Sequence, residues 1–360
     1  MAILDIQITN SSLKDIQAAL GATLEESSWV ATSYLVAEMI AIPLCGFFAA
    51  WLSPRRYLLW NGAGFILASL ACSFAWNLDS MIVFRVLQGF TGGALIPMAF
   101  TLIVTLLPAE KRPIGMALFG VTATFAPAIG PTLGGWLTEV FSWHYIFYLN
   151  VIPGALVLFL LSEGLEKEEG DPSQLKRIDL FGIVTMAVGM GCLEVMLEEG
   201  ARDDWFDTEY IRWLALISAS CLFLFARKQL ASEHPLVNLR LFKNRDFTLA
   251  CISYFVLGVA LFGSVYLVPL YLADLQQRIV VGSQNALEYL RQLGDMLQAG
   301  GGSADQSYGV LMAELHTQAM VMSYNEAFFG LGIALLLASV VSLSIRPAAA
   351  QADIAEAPVH

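Results

Sequence analysis

Residues 81–107 read MIVFRVLQGFTGGALIPMAFTLIVTLL, a run of 27 positions in which Arg85 is the one ionisable side chain. A helix needs about 20 apolar residues to cross the hydrocarbon core of a bilayer, so the run reads as a membrane span. Working outward, the stretches 29–52, 57–76, 114–138, 145–162, 180–197, 213–226, 247–273 and 327–345 qualify on the same ground, which makes nine spanning or near-spanning helices. Residues 213–226 are short and extend outward through Trp213 and Arg212. The whole chain agrees, with 57% hydrophobic and only 14% charged residues against roughly 25% charged in soluble domains. A mean hydropathy of +0.65 places most of the chain in lipid. These values argue against a water-soluble enzyme, a nucleic-acid binder and a disulfide-stapled secreted domain. The five cysteines fall inside apolar runs without CxxC spacing, and the four histidines are scattered. No metal site, no cofactor and no enzymatic nucleophile is therefore expected.

Orientation follows from the distribution of Lys and Arg, which concentrate in cytoplasmic loops. Of the 19, thirteen lie in one alternating set of connections, five in the opposite set, and Arg85 lies within a span. The asymmetry puts the C-terminus in the cytoplasm and residues 10–28, 198–212 and 274–324 outside. The first apolar stretch stops at Leu4, so no cleavable signal peptide is expected.

Three places carry more information than hydropathy. In RVLQGFTGG, an Arg in hydrocarbon costs several kcal/mol unless paired or hydrated. Arg85 is either kept for a task or snorkels to the outer interface past Asp79. Gly89 and Gly93 form a GxxxG face, and with Gly92 they allow close helix approach or simple packing. The span 114–138 contains GVTATFAPAIGPTLGGW, with Gly120, Pro127, Gly130, Pro131, Gly134 and Gly135. That composition makes a bendable helix, which membranes tolerate where neighbours satisfy the freed backbone groups. Glu38 sits near the bilayer middle, where a carboxylate either exchanges a proton or serves as a structural acid hydrogen-bonded to a neighbouring helix. Glu194, nearer the outer end of its span, reads as interfacial.

These residues resemble the drug:proton antiporters of the major facilitator superfamily, in the fourteen-span EmrB/QacA branch. RVLQGFTGG resembles its helix-4 motif and GPTLGGW the antiporter motif of helix 5. LDIQITN at residues 4–10, YLVAEMIAIPL at 34–44, SWHYIFYLNVIPG at 142–154, DDWF at 203–206 and HPLVNLRLF at 234–242 match further motifs in order. The resemblance implies efflux of small lipophilic or cationic drugs in exchange for protons across the bacterial cytoplasmic (inner) membrane. Asp5, Glu38, Arg85 and Gln88 would line the proton and substrate pathway, and the glycines and prolines of helix 5 would serve rocking between two halves. Some Gram-negative relatives work with a periplasmic adaptor protein and an outer-membrane channel, which adds those to drugs, protons and membrane lipid as partners.

The chain also departs from the family pattern. Helix 1 is reduced to a stub over residues 1–9. Ala50 stands where many relatives carry Asp, which leaves Arg55 and Arg56 of the usual charge pairing. After residues 274–277 the sequence jumps to what resembles the outer loop before the last helix, so four helices of the second half are missing from the pattern. The expected fold is an all-α polytopic membrane protein, a major facilitator fold with an incomplete second half and about nine spans plus an N-terminal stub. Its parts are a first half (1–162), a cytoplasmic loop (163–178), a central extra helix pair (179–229), the first helix of the second half (230–277), an extracytoplasmic loop (278–324), the last helix (325–346) and a cytoplasmic tail (347–360). Without the missing wall, Glu38 and Arg85 are expected to face lipid or a wide water-filled gap. Three readings stay open: an antiporter whose sequence is incomplete, a shortened non-transporting or accessory member, and a different class such as a membrane enzyme or lipid-handling scaffold.

Overall fold

The computed structural model of the chain describes residues 1–233, 235–259 and 263, which fall in two compact units, residues 1–239 and the chain from Arg240 onward. Within the second unit, residues 245–259 are helical. The expected helix 327–345, the loop 278–324, the tail 347–360 and most of 247–273 beyond residue 259 lie outside the described residues.

The first unit is built of helices alone. Two short helices open it, α1 (Ala2–Ser11) and α2 (Leu13–Leu20). Helix α3 (Leu24–Leu52) starts at a capping box in which Thr23 Oγ1 accepts from the Glu26 amide at 3.2 Å and Glu26 Oε2 accepts from the Thr23 amide at 2.9 Å. The exchange satisfies two donors that a helix start otherwise leaves open. Helix α4 (Pro54–Ser73) has its proline at the first helical position, where no amide is needed. Asn77 caps α5 (Leu78–Gly93) through the Ser80 amide at 2.9 Å. After it come α6 (Leu95–Leu106), α7 (Arg112–Val140), α8 (His144–Tyr148) and α9 (Val151–Gly164). The unit closes with α10 (Leu180–Gly200), capped by Asp179 on the Gly182 amide at 2.9 Å, and α11 (Glu209–Ala231).

Among the described residues six helical segments are long and apolar enough to cross a membrane: Glu25–Leu52, Leu78–Leu106, Arg112–Val140, His144–Gly164, Leu180–Gly200 and Glu209–Ala231. The sequence reading differs at one of the spans, and two others carry a local break in their hydrogen-bond ladder. The run 57–76 becomes α4, which starts at Pro54 with two arginines behind it and is not among the six. The run 81–107 is two helices interrupted at Ala94, and 145–162 is two helices interrupted at Leu149 and Asn150. Each interruption has the same cause. Pro97 and Pro153 lack the amide that would bond four residues back, to Gly93 and Leu149, and the ladder resumes one residue later with Met98 N to Ala94 O at 3.2 Å and Gly154 N to Asn150 O at 3.0 Å.

Packing runs along close helix pairs. Helix α5 lies along α3 and α4, α1 along α7, α9 along α4, and α10 along both α11 and α3. An added Cβ at Gly93 would lie 2.8 Å from the Glu38 carbonyl oxygen, so the α3–α5 approach requires glycine there. Against α1, α7 turns inward a narrow stripe of Pro127, Gly130, Gly134 and Leu137, and its remaining surface is largely exposed. Large apolar side chains such as Trp60, Trp76 and Ile152 are more than two-thirds exposed. In a multi-pass membrane protein lipid solvates such residues.

Candidate functional site

The centre of the first unit is polar. Arg85 on α5 is fully buried, and its Nη1 donates to Asp5 Oδ2 on α1 at 2.7 Å and to Gln88 Oε1 at 2.7 Å. Its Nε donates to the Val30 carbonyl of α3 at 3.0 Å, and the guanidinium lies 4.3 Å from the centroid of the Tyr34 ring. Snorkelling is thereby excluded. The expectation that Arg85 would face lipid or a gap is also corrected, because the Asp5 stub and the α3 backbone close around it. Glu38, one turn beyond Tyr34, is 8% exposed rather than open to lipid.

Asp5 is enclosed by donors. Gln88 Nε2 donates to its Oδ1 at 3.0 Å, and Asn150 Nδ2 donates to the same oxygen. Both amides also donate to Ser69 Oγ of α4 at 2.9 Å, and that hydroxyl donates to the Phe147 carbonyl at 3.3 Å. Cys72 Sγ lies 3.6 Å from Gln88 Oε1. The groups come from α1, α3, α4, α5 and the α8–α9 junction, and the side chains of Asp5, Arg85, Gln88, Ser69 and Asn150 are all buried. An isolated buried charge costs several kcal/mol, which this set offsets with one ion pair and several charge-assisted hydrogen bonds. Two apolar clusters adjoin it, one through Cys72 with Ile8, Val30 and Phe147, the other through Tyr34 with Phe65.

Other sequence-predicted residues fall in different places. The Glu38 carboxylate has no hydrogen-bond partner among the described residues, and its backbone supports Gly93. Gly89 and Gly93 line the α3–α5 contact, and Gly92 meets the Tyr34 hydroxyl of α3 and Phe65 of α4. Gly130 and Gly134 receive α1 at Gln7 and Ile8, whereas a Cβ at Gly120 or Gly135 would meet nothing within 4 Å among the described residues. Asn150, Ser69 and Tyr34 were missed from sequence. An Asn three residues before a proline inside an apolar run is the signal that could have found the first.

A family model described as Major Facilitator Superfamily matches residues 1–284. The chain belongs to the major facilitator superfamily. It is 42% identical over 277 residues to the colistin resistance protein EmrB of Acinetobacter baumannii, a match covering 77% of this chain and 54% of that protein. The multidrug export protein EmrB of Escherichia coli K12 is 34% identical over 274 residues, covering 76% and 53%. The fatty acid resistance protein FarB of Neisseria gonorrhoeae is 36% identical over 272 residues, covering 76% and 54%. The relatives are thus of the EmrB type, and the chain spans about half the length of those it matches. With six spans among the described residues, this superfamily member is a multi-pass membrane protein.

Proposed function

We propose that the intact protein is a proton-coupled multidrug antiporter of the bacterial cytoplasmic membrane, with its C-terminus in the cytoplasm. The observation that carries this reading is the buried Asp5–Arg85 pair with Gln88. Ionisable groups are kept inside membrane bundles for ion or substrate handling far more often than for stability. A proton arriving at Asp5 removes its charge, and Arg85 then lacks its counter-ion in a low-dielectric site. Breaking a buried pair is worth about 3–5 kcal/mol, enough to shift a two-state equilibrium between access states by about two to nearly four powers of ten. A cationic drug competing for the same negative charge would give exchange. Glu38, lacking a hydrogen-bond partner among the described residues, is the second proton carrier of this reading. The names of the relatives support export of drugs, and lipophilic or cationic compounds are the proposed substrates. A periplasmic adaptor and an outer-membrane channel are proposed as partners of the intact assembly.

Alternating access needs two halves. On this reading residues 1–162 are one half, 179–229 an added central pair, and 230–277 with 325–346 belong to the other half. The test supplies from the Acinetobacter relative the rest of helix 1 and the second-half helices that follow residue 277, and reconstitutes the product in liposomes. Drug addition should release protons from the acid side, and Asp5→Asn should abolish release while leaving the protein folded. Drug movement that is indifferent to the proton gradient would refute antiport.

A further inference from the structure

To the polar cluster the α8–α9 junction contributes one side chain, Asn150. Asn150 stands where Pro153 interrupts the ladder between α8 and α9. Its amide points inward, 3% exposed, onto Asp5 Oδ1 and Ser69 Oγ. Gln88 is held the other way round. Its carbonyl accepts from Arg85, which fixes its NH2 toward the same two oxygens. Asp5 therefore meets three donor groups and no acceptor among its hydrogen-bond partners, a shell that fits the carboxylate and not the neutral acid.

We propose that Asn150 is a positioning residue for the Asp5 carboxylate, holding Oδ1 so that Oδ2 faces Arg85. The inference rests on the reading of Asp5 and Arg85 as the proton pathway, which it deepens. Other ionisable groups facing the cluster are the Met1 amino group at the start of α1, Arg85 from α5, Tyr34 and Glu38 from α3, and Cys72 from α4, whereas α7 carries its charges, Arg112 and Glu139, near its ends.

The experiment is an infrared pH titration of the purified 360-residue chain in detergent, with the Asp5 carboxyl band assigned by its loss in Asp5→Asn. In Asn150→Ala the ionised form loses a charge-assisted donor, so the band should appear at higher pH, by about one pH unit. Ser69→Ala, which removes the acceptor that orients both amides, should move it in the same direction by less. Asn61→Ala, the loss of a buried α4 amide that donates to the Tyr57 carbonyl at 2.8 Å and is not among the partners of Asp5, should leave it in place. A band that appears in Asn150→Ala but not in the unaltered chain supports the proposal equally. An unmoved or oppositely moved band in a folded Asn150→Ala variant overturns it, as does absence of the band from both proteins. If Asn150→Ala does not fold, Ser69→Ala decides by the same criterion. The titration does not involve transport, so failure of drug-driven proton release in the completed protein and failure of this inference are separate results.

Discussion

Glycines at helix contacts divide into those that a methyl group would wedge apart and those it would not. At Gly89 the three nearest atoms to an added Cβ are the Tyr34 carbonyl oxygen, the carbonyl carbon at 2.9 Å and Cα at 3.0 Å, all backbone of α3. No rotamer change relieves such a contact, so α3 and α5 must separate. That separation strains the Arg85 Nε bond to the Val30 carbonyl, which lies across the same interface. Gly→Ala in a helix interior gains up to about 1 kcal/mol of propensity, whereas overpacking costs about 1–3 kcal/mol and more where backbone must shift. Gly89→Ala should therefore lose about 2 kcal/mol net. At about 2–4 °C per kcal/mol for a unit of this size, its unfolding midpoint should fall by about 4–8 °C. Gly135→Ala, whose Cβ meets nothing within 4 Å among the described residues, should rise by a few degrees. The assay is thermal unfolding of the purified variants in one detergent, followed by intrinsic fluorescence at matched concentration and scan rate. Gly89→Ala melting at or above the unaltered protein would refute the reasoning, because it would mean that α3 and α5 are not held at glycine distance.

The ion pair gives a second test. Asp5→Asn and Arg85→Met should each cost about 3–5 kcal/mol, but the double variant should cost at least about 1 kcal/mol less than their sum, since neither charge is then left unpaired. Strict additivity in chemical unfolding would show that the pair is not coupled. For topology, cysteine placed at the exposed Asp207 should react with an impermeant maleimide in intact cells while one at the exposed Ser173 should not. The reverse pattern would invert the orientation read from the Lys and Arg asymmetry. In the completed antiporter, Glu38→Gln should stop drug-dependent proton release at normal membrane abundance. Normal pumping would make Glu38 a structural acid and leave Asp5 as the carrier.

What the sequence disclosed and what it withheld divide along a physical line. Span positions were legible because hydrocarbon demands long apolar runs, and all but one of the described spans coincide with a helix of spanning length. The breaks at Ala94 and Asn150 were within reach, since Pro97 and Pro153 each delete a bond at a fixed offset, yet hydropathy averages across them. Arg85 announced itself by its cost in lipid, but not its partner. Asp5 is 80 residues away in sequence, sits in a ten-residue helix that hydropathy treats as a stub, and was singled out by resemblance alone. Ser69 and Asn150 carry no charge and so no such signal, although they complete the shell that makes a buried carboxylate tolerable. The same shell explains why the short α1 is held so firmly. Its Ile8 and Gln7 press on Gly134 and Gly130 of α7 while its Asp5 answers the charge on α5, so that one helix of ten residues supplies both the close packing and the counter-ion of the bundle centre. Replacing Asp5 therefore tests the chemistry of the site, whereas replacing Gly134 tests whether α1 can be seated at all. A bulky residue at Gly134 should loosen Asp5 from Arg85 even though it touches neither.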